Sequence, residues 1–207
     1  MINGYIPAAR FLPFLSWTDV AALPDKSNTV IVLPTGAIEQ HGPHLPCSVD
    51  SVISSGVAGH ALARLPATIP AYAIPPIVYG KSEEHLHFPG TLTLSGDTLL
   101  HTLLEIAESL YRAGFRKLLM INGHGGQPQI LQIACREMRL RHGDFIAIPH
   151  DVFNVPNCEK QFLSPHEQRM AMHAGHSETA LMLALTIRLY ERYGSLDLDE
   201  ILTQAKE

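Results

Sequence analysis

The chain alternates short, continuously apolar runs with longer stretches in which apolar residues recur every three or four positions. Residues 29–33 (TVIVL) are β-branched and apolar up to Pro34 and Gly36, the pattern of a strand buried on both faces of a parallel sheet. Residues 117–121 (KLLMI) and 145–148 (FIAI) read the same way. A further strand is expected over 73–79, where Pro75 and Pro76 confine it to an edge or an irregular start.

Helical spacing fills the intervals. Val52, Ile53, Val57, Ala61 and Leu62 predict a helix over 51–65. Ser95 is placed to cap a long amphipathic helix through Leu99, Leu103, Ala107 and Leu110, closed by Gly114. A helix with Pro128 near its start runs to His142, and a strongly apolar one covers 179–193. Near the N-terminus, in an arm punctuated by prolines, a short helix is expected over 16–23. The polar stretch 159–174 fits neither period and is left unassigned. Strands alternating with helices imply βαβ units, hence a three-layer α/β fold with a mostly parallel sheet and helices on both faces. No repeat or linker divides the chain, so residues 1–207 are expected to form a single domain.

Composition narrows the function. With 207 residues the chain can bury a core without disulfides or structural metals, and 46% hydrophobic against 17% charged residues is ordinary for a compact soluble protein. A formal charge of −5 with scattered basic residues argues against a nucleic-acid surface, and no run reaches the roughly 20 apolar residues of a membrane span. The three cysteines stand at unrelated spacings, so neither a disulfide framework nor a CxxC site is expected, and with no secretory h-region a cytoplasmic location follows.

Candidate chemistry concentrates where strands end. The stretch 33–50 (LPTGAIEQHGPHLPCSVD) gathers Glu39, His41, His44 and Asp50 behind the first strand. Such a crowd of carboxylate and imidazole is costly to desolvate unless a cation sits within it. Glu39 and His41, two apart, share one side of an extended backbone. His124, between glycines after the 117–121 strand, can face the same crevice, because ligands of such sheets bind beyond the carboxyl ends of the strands. The competing reading of residues 123–126 is a glycine-rich turn cradling phosphate, although neither GxGxxG nor GK[ST] is present. Ahead of the last helix stands HAGHSE, where Ser177 could cap the helix with Glu178 in its first turn, or His173 could transfer protons with Glu178 as a metal ligand. His60, His101 and His142 are read as packing or surface residues, and His44 and Cys47 as bystanders; nothing discriminates His85, His150 and His176.

Four segments, GAIEQHGPHLPCSVD, YGKSEEHLHFPGTLTL, INGHGG and HAGHSETALMLAL, together resemble the signature blocks of the creatininase family of metal-dependent amidohydrolases. The resemblance spans residues 30–185. It implies a creatininase-like α/β fold, a homo-oligomer such as a hexamer, and one or two divalent ions per chain, Zn, Mn or Fe. It places Glu39, His41, Asp50 and His124 on metal-ligand positions, with Asp50 bridging, and His173 on the acid/base histidine. Ser82 and His87 fall in a substrate-side loop. Gly125 and Gly126 stand where creatininase proper has Tyr-Glu, positions that contact substrate or a second metal, and its Trp-Asp pair aligns near Arg169 and Met170. Creatinine is therefore not the expected substrate, and Glu178 becomes the candidate for the missing carboxylate. The expected activity is hydrolysis of a C–N bond in a small amide, cyclic amide or formamide by metal-activated water. Two alternatives stand beside it. One is a nucleotide- or phosphate-binding α/β module; the other is a catalytically silent family member, suggested by a C-terminus that is short for the family.

Overall fold

Four parallel strands, β1 (Val30–Thr35), β2 (Ala71–Ala73), β3 (Lys117–Asn122) and β4 (Ile146–Asp151), form one sheet in the order β2-β1-β3-β4. The computed structural model describes residues 2–156, 161–170, 173–186 and 200–201. The two inner strands are the β-branched and leucine-rich runs, in register from Val30 against Lys117 to Thr35 against Asn122. Side chains alternate across the sheet. Ile31 and Leu33 of β1, with Leu118 and Met120 of β3, pack against α3 (Gly96–Arg112) and α4 (Pro128–Arg141). Val32 and Ile121 point the other way, onto α2 (Val49–Arg64) and α6 (His176–Leu185). The result is the expected three layers, with one apolar cluster on each face of the sheet. Each fully buried leucine in these clusters is worth about 1.5–3 kcal/mol of transfer free energy.

Helix ends follow their local chemistry. Ser16 forms a capping box with Asp19 at the start of α1 (Trp17–Ala22), and the Ser95 hydroxyl accepts from the Thr98 amide at the start of α3. Gly114, with φ +98°, turns the chain out of α3 in a conformation that L side chains avoid.

Three expectations need correction. The strand expected over 73–79 lies earlier, at Ala71–Ala73, because Pro75 and Pro76 have no N–H for the ladder. Beyond them only Ile77 rejoins the sheet, donating its amide to the Pro34 carbonyl at 3.0 Å. The second helix begins at Val49, which moves Asp50 from the loop into a first helical turn, where the macrodipole favours a carboxylate. The last helix begins at His176, so Ser177 lies inside it and Gly175 is the N-cap, without a side-chain cap. Residues 187–193 of that expected helix lie outside the described residues. Within the unassigned stretch, Pro165–Met170 form α5. No helix among the described residues is long and apolar enough to cross a membrane.

The topology fixes where a ligand can sit. From β1 the chain leaves through α2 on one face, and from β3 through α4 on the other. The carboxyl ends of these neighbouring strands therefore diverge, opening the crevice where α/β sheets bind ligands.

Candidate metal centre

The centre is built at the divergence of β1 and β3. After β1 the chain makes an isolated bridge from Ile38 to Leu92 and continues through Glu39 to His41, and the Glu39 amide donates to the Cys47 carbonyl at 2.9 Å, closing the loop. Asp50 enters from the first turn of α2. That turn can approach only because glycines underlie it: a Cβ on Gly36 would stand 2.5 Å from Ser51 Cα, and one on Gly123 2.4 Å from the Asp50 carbonyl oxygen. His124 follows β3, and Asn122 fixes this turn by donating to the His124 carbonyl at 2.6 Å.

Glu39, His41, Asp50 and His124 are all buried, none more than 4% exposed. The Asp50 carboxylate lies between the two imidazoles. Its Oδ1 is 3.0 Å from His41 Nε2 and its Oδ2 is 3.0 Å from His124 Nδ1, which is also 3.3 Å from Glu39 Oε1.

Tautomers decide what these approaches mean. His41 Nδ1 lies 3.2 Å from the Glu39 carbonyl oxygen, and His124 Nε2 lies 2.8 Å from that of Lys81. A carbonyl can only accept, so each of these nitrogens carries the proton. In the neutral ring the other nitrogen then presents a lone pair toward carboxylate oxygens. Acceptors facing acceptors repel unless a cation lies between them, and a backbone carbonyl fixing the far nitrogen is the usual support of a metal-bound imidazole. His41 Nε2 and Asp50 Oδ2 are buried without a hydrogen bond of acceptable geometry, the orphaned polar atoms that a cation would satisfy. Glu39, His41 and Asp50 each offer a ligand atom within 4.8 Å of the others. The donor set of imidazole and carboxylate fits a divalent transition ion.

The charges respond accordingly. Burial pushes the His124 imidazole down, but the adjacent Asp50 and Glu39 carboxylates override it and carry its pKa to about 10. His41 is raised in the same way: burial opposes, and Asp50 and then Glu178 prevail. Burial would raise Asp50, yet the two imidazoles hold it below the usual carboxylate range. Without a metal, protons on the histidines supply the positive charge that the carboxylates require.

Further residues line the open side. Glu178, on α6, is raised chiefly by its burial; its Oε1 lies 3.7 Å from His41 Nε2 and its Oε2 accepts from the Ala174 amide. Ala174 stands at φ +53°, a left-handed conformation that costs a non-glycine residue roughly 1–2 kcal/mol and here aims its N–H at that carboxylate. His173 packs against His41 with ring centroids 4.0 Å apart and donates from Nε2 to the Gln40 carbonyl. Burial, then the neighbouring His41, lowers its pKa. Ser82 is fully buried and donates to Glu39 Oε2. His87 is exposed and lies against Phe88, 4.3 Å between ring centroids. Gly125 is exposed, with nothing within 4 Å of where its Cβ would be.

His44 is tied to Thr179 at 2.9 Å, and His142, expected to be a packing or surface residue, is stacked on Tyr111 and paired with Glu108. Three groups at the centre are not assigned by the sequence; one is Glu84, whose Oε1 lies 3.9 Å from His124 Nε2 and which forms a possible metal-holding group with Glu39 and His124. His85 Nε2 lies 3.8 Å from Glu39 Oε1 and its ring stacks on His173 at 4.9 Å; the Lys81 carbonyl orients His124. The only sequence signal for any of them is their place in the polar 80–91 loop. The phosphate reading finds an obstacle in Glu39 and Asp50, whose carboxylates meet the one side chain of the 123–126 turn and would repel an anion.

Comparison with known proteins shows the family. The creatininase profile, described as creatinine amidohydrolase, matches residues 14–192. The chain is 33% identical over 159 residues to the mycofactocin precursor peptide peptidase of Mycolicibacterium smegmatis, covering 76% of this chain and 58% of that protein. It is 32% identical over 195 residues to the creatinine amidohydrolase of Pseudomonas putida, covering 84% of this chain and 71% of that one. A solved structure named "Creatininase Mn" superposes with a TM-score of 0.74 at 33% identity, over 87% of this chain and 74% of that chain. This chain thus spans little more than half of the mycobacterial peptidase and about three-quarters of the solved enzyme. By its sequence and its fold, the chain belongs to the creatininase family.

Proposed function

We propose that this protein hydrolyses the C–N bond of a small amide, cyclic amide or formamide other than creatinine, with one or two divalent ions (Zn, Mn or Fe) held by Glu39, His41, Asp50, His124 and Glu178. The observation that carries the reading is the pair of imidazoles whose far nitrogens are each fixed by a backbone carbonyl and whose near nitrogens face shared carboxylates. Asp50 lies between the two imidazoles: its Oδ2 faces His124 Nδ1, which Glu39 also meets, and its Oδ1 faces His41 Nε2, which Glu178 also meets. A cation bound there would polarise a carbonyl oxygen and bring the pKa of a water toward neutrality. Support for a transition ion also comes from the manganese named for the solved creatininase.

The chain's own residues do the remainder. His173, kept neutral by burial and by His41, has one ring nitrogen engaged by the Gln40 carbonyl and the other left to take up a proton and pass it to the departing nitrogen. Glu178 is fixed by the Ala174 amide beside His41. Gly125 has open space around it and His87 is exposed in the 80–91 loop, which supports a substrate role for both. The scattered basic residues and the net charge of −5 argue against nucleic acid as a partner. Cys47 and Cys135 are free thiols, which suits a reducing cytoplasm, where we place the protein as a single-domain homo-oligomer.

The test is a panel of amides, cyclic amides and formamides assayed with purified protein, before and after chelation. Turnover of at least one C–N substrate, lost with chelator and restored by Zn²⁺ or Mn²⁺, is expected. Nucleotide-dependent thermal stabilisation that chelators leave untouched would instead establish the phosphate-binding alternative.

A further inference from the structure

One turn of the chain, at Lys81 and Ser82, touches both sides of the centre through groups outside the five proposed ligands. Ser82 has no exposed surface, although it lies in a loop whose neighbours Glu83 and Glu84 are exposed. Its hydroxyl donates to Glu39 Oε2, while Glu39 Oε1 faces His124 Nδ1 at 3.3 Å. The preceding carbonyl, that of Lys81, lies 2.8 Å from His124 Nε2. Two consecutive residues therefore orient two different ligands that arrive from β1 and β3.

The turn is itself held on three sides. The Ser82 amide donates to Thr93 Oγ1 at 2.7 Å, and the Lys81 amide to Gln127 Oε1 at 3.2 Å. Gln127, fully buried, donates in turn to Asn122 Oδ1 at 2.9 Å. The turn lies so close over Gly126 that a Cβ there would stand 2.9 Å from the Lys81 carbonyl oxygen and 2.6 Å from His124 Nε2.

We infer that Ser82 is a positioning residue of the metal centre, and that with the Lys81 carbonyl it sets the centre's affinity for its ion. A hydroxyl buried behind a carboxylate fixes which oxygen faces the crevice. By donating to Oε2, Ser82 leaves Oε1 to the ion. Loss of such a support costs about 10–100-fold in metal affinity. The inference rests on the metal reading above, and its test separates the two.

The experiment measures Zn²⁺ affinity by competition with a chromophoric chelator, on refolded-state controls checked by circular dichroism, for the parent protein and for Ser82→Ala, Ser82→Thr, Ser82→Val and Ser54→Ala. Ser54 is a buried serine of α2 whose hydroxyl donates to the Ser51 carbonyl at 3.2 Å and touches no ligand. Ser82→Ala is expected to weaken Zn²⁺ about 10–100-fold, with Ser54→Ala within threefold of the parent. Threonine and valine share a shape and differ in the hydroxyl, so Ser82→Thr should bind Zn²⁺ at least about tenfold more tightly than Ser82→Val even if the alanine variant does not fold. Equal affinity of the threonine and valine variants, or an equal loss in Ser54→Ala, would overturn the role of Ser82 while leaving the centre intact. A parent protein that takes up no Zn²⁺ would overturn the metal reading, and this inference with it.

Discussion

The two faces of the sheet are built for different ends. The face under α3 and α4 is apolar throughout, with Leu99, Leu103, Leu118, Met120, Leu131 and Met138 essentially inaccessible. The face under α2 and α6 starts the same way around Val32, Ile53 and Met182, but toward the strand carboxyl ends it turns polar, burying Ser51, Ser54, Asp50 and His44. Burial of apolar surface stabilises wherever it occurs, whereas buried charge is costly unless paired. One face therefore carries stability, and the other spends part of it on a constellation of carboxylates and imidazoles that needs positive charge among its members.

Substitutions should separate the faces. The largest effect is expected from His173→Ala, which should lower kcat by about 10²–10⁴-fold, read in a steady-state assay on the substrate the panel identifies. Its metal content should be unchanged; loss of the ion as well would make His173 a ligand. On the opposite face Leu131→Ala should cost about 2–5 kcal/mol in urea-induced unfolding and leave metal content at the parental level. A smaller effect on the same face is expected from Ser95→Ala, which removes the cap of α3 and should cost about 0.5–2 kcal/mol, again with no change in the ion. Metal loss in either of these two variants would show that the faces are not separable.

How far the sequence reveals this arrangement depends on whether a feature is local. The inner strands and α3 declare themselves, because their apolar periods and the Ser95 cap lie within each segment. β2 was expected too late, since two prolines in an apolar run can start a strand or stop one, and here they stop it. The first residue of α6 depended on the turn at Ala174, whose left-handed backbone leaves no mark in the residue type. Glu39, His41, Asp50 and His124 stand out because carboxylates and imidazoles behind strand ends are unusual company. The Lys81 carbonyl is invisible for the opposite reason: every residue has one, and only folding brings it to an imidazole 43 positions away. His85 shares that difficulty, reaching Glu39 through a loop whose course no period encodes. The glycines at 36 and 123 read as turn residues, but their stricter use, admitting the first turn of α2, needs the packed structure.

The central claim is that Asp50 sits between two imidazoles in order to share a cation with them. The direct measurement is metal content and Zn²⁺ or Mn²⁺ affinity of the parent protein beside Asp50→Asn, a change that keeps the shape of the side chain and removes its charge. The account predicts one or two ions per chain in the parent and loss of tight binding in the variant, by more than the 10–100-fold that a supporting residue costs. Parental affinity in Asp50→Asn would contradict it.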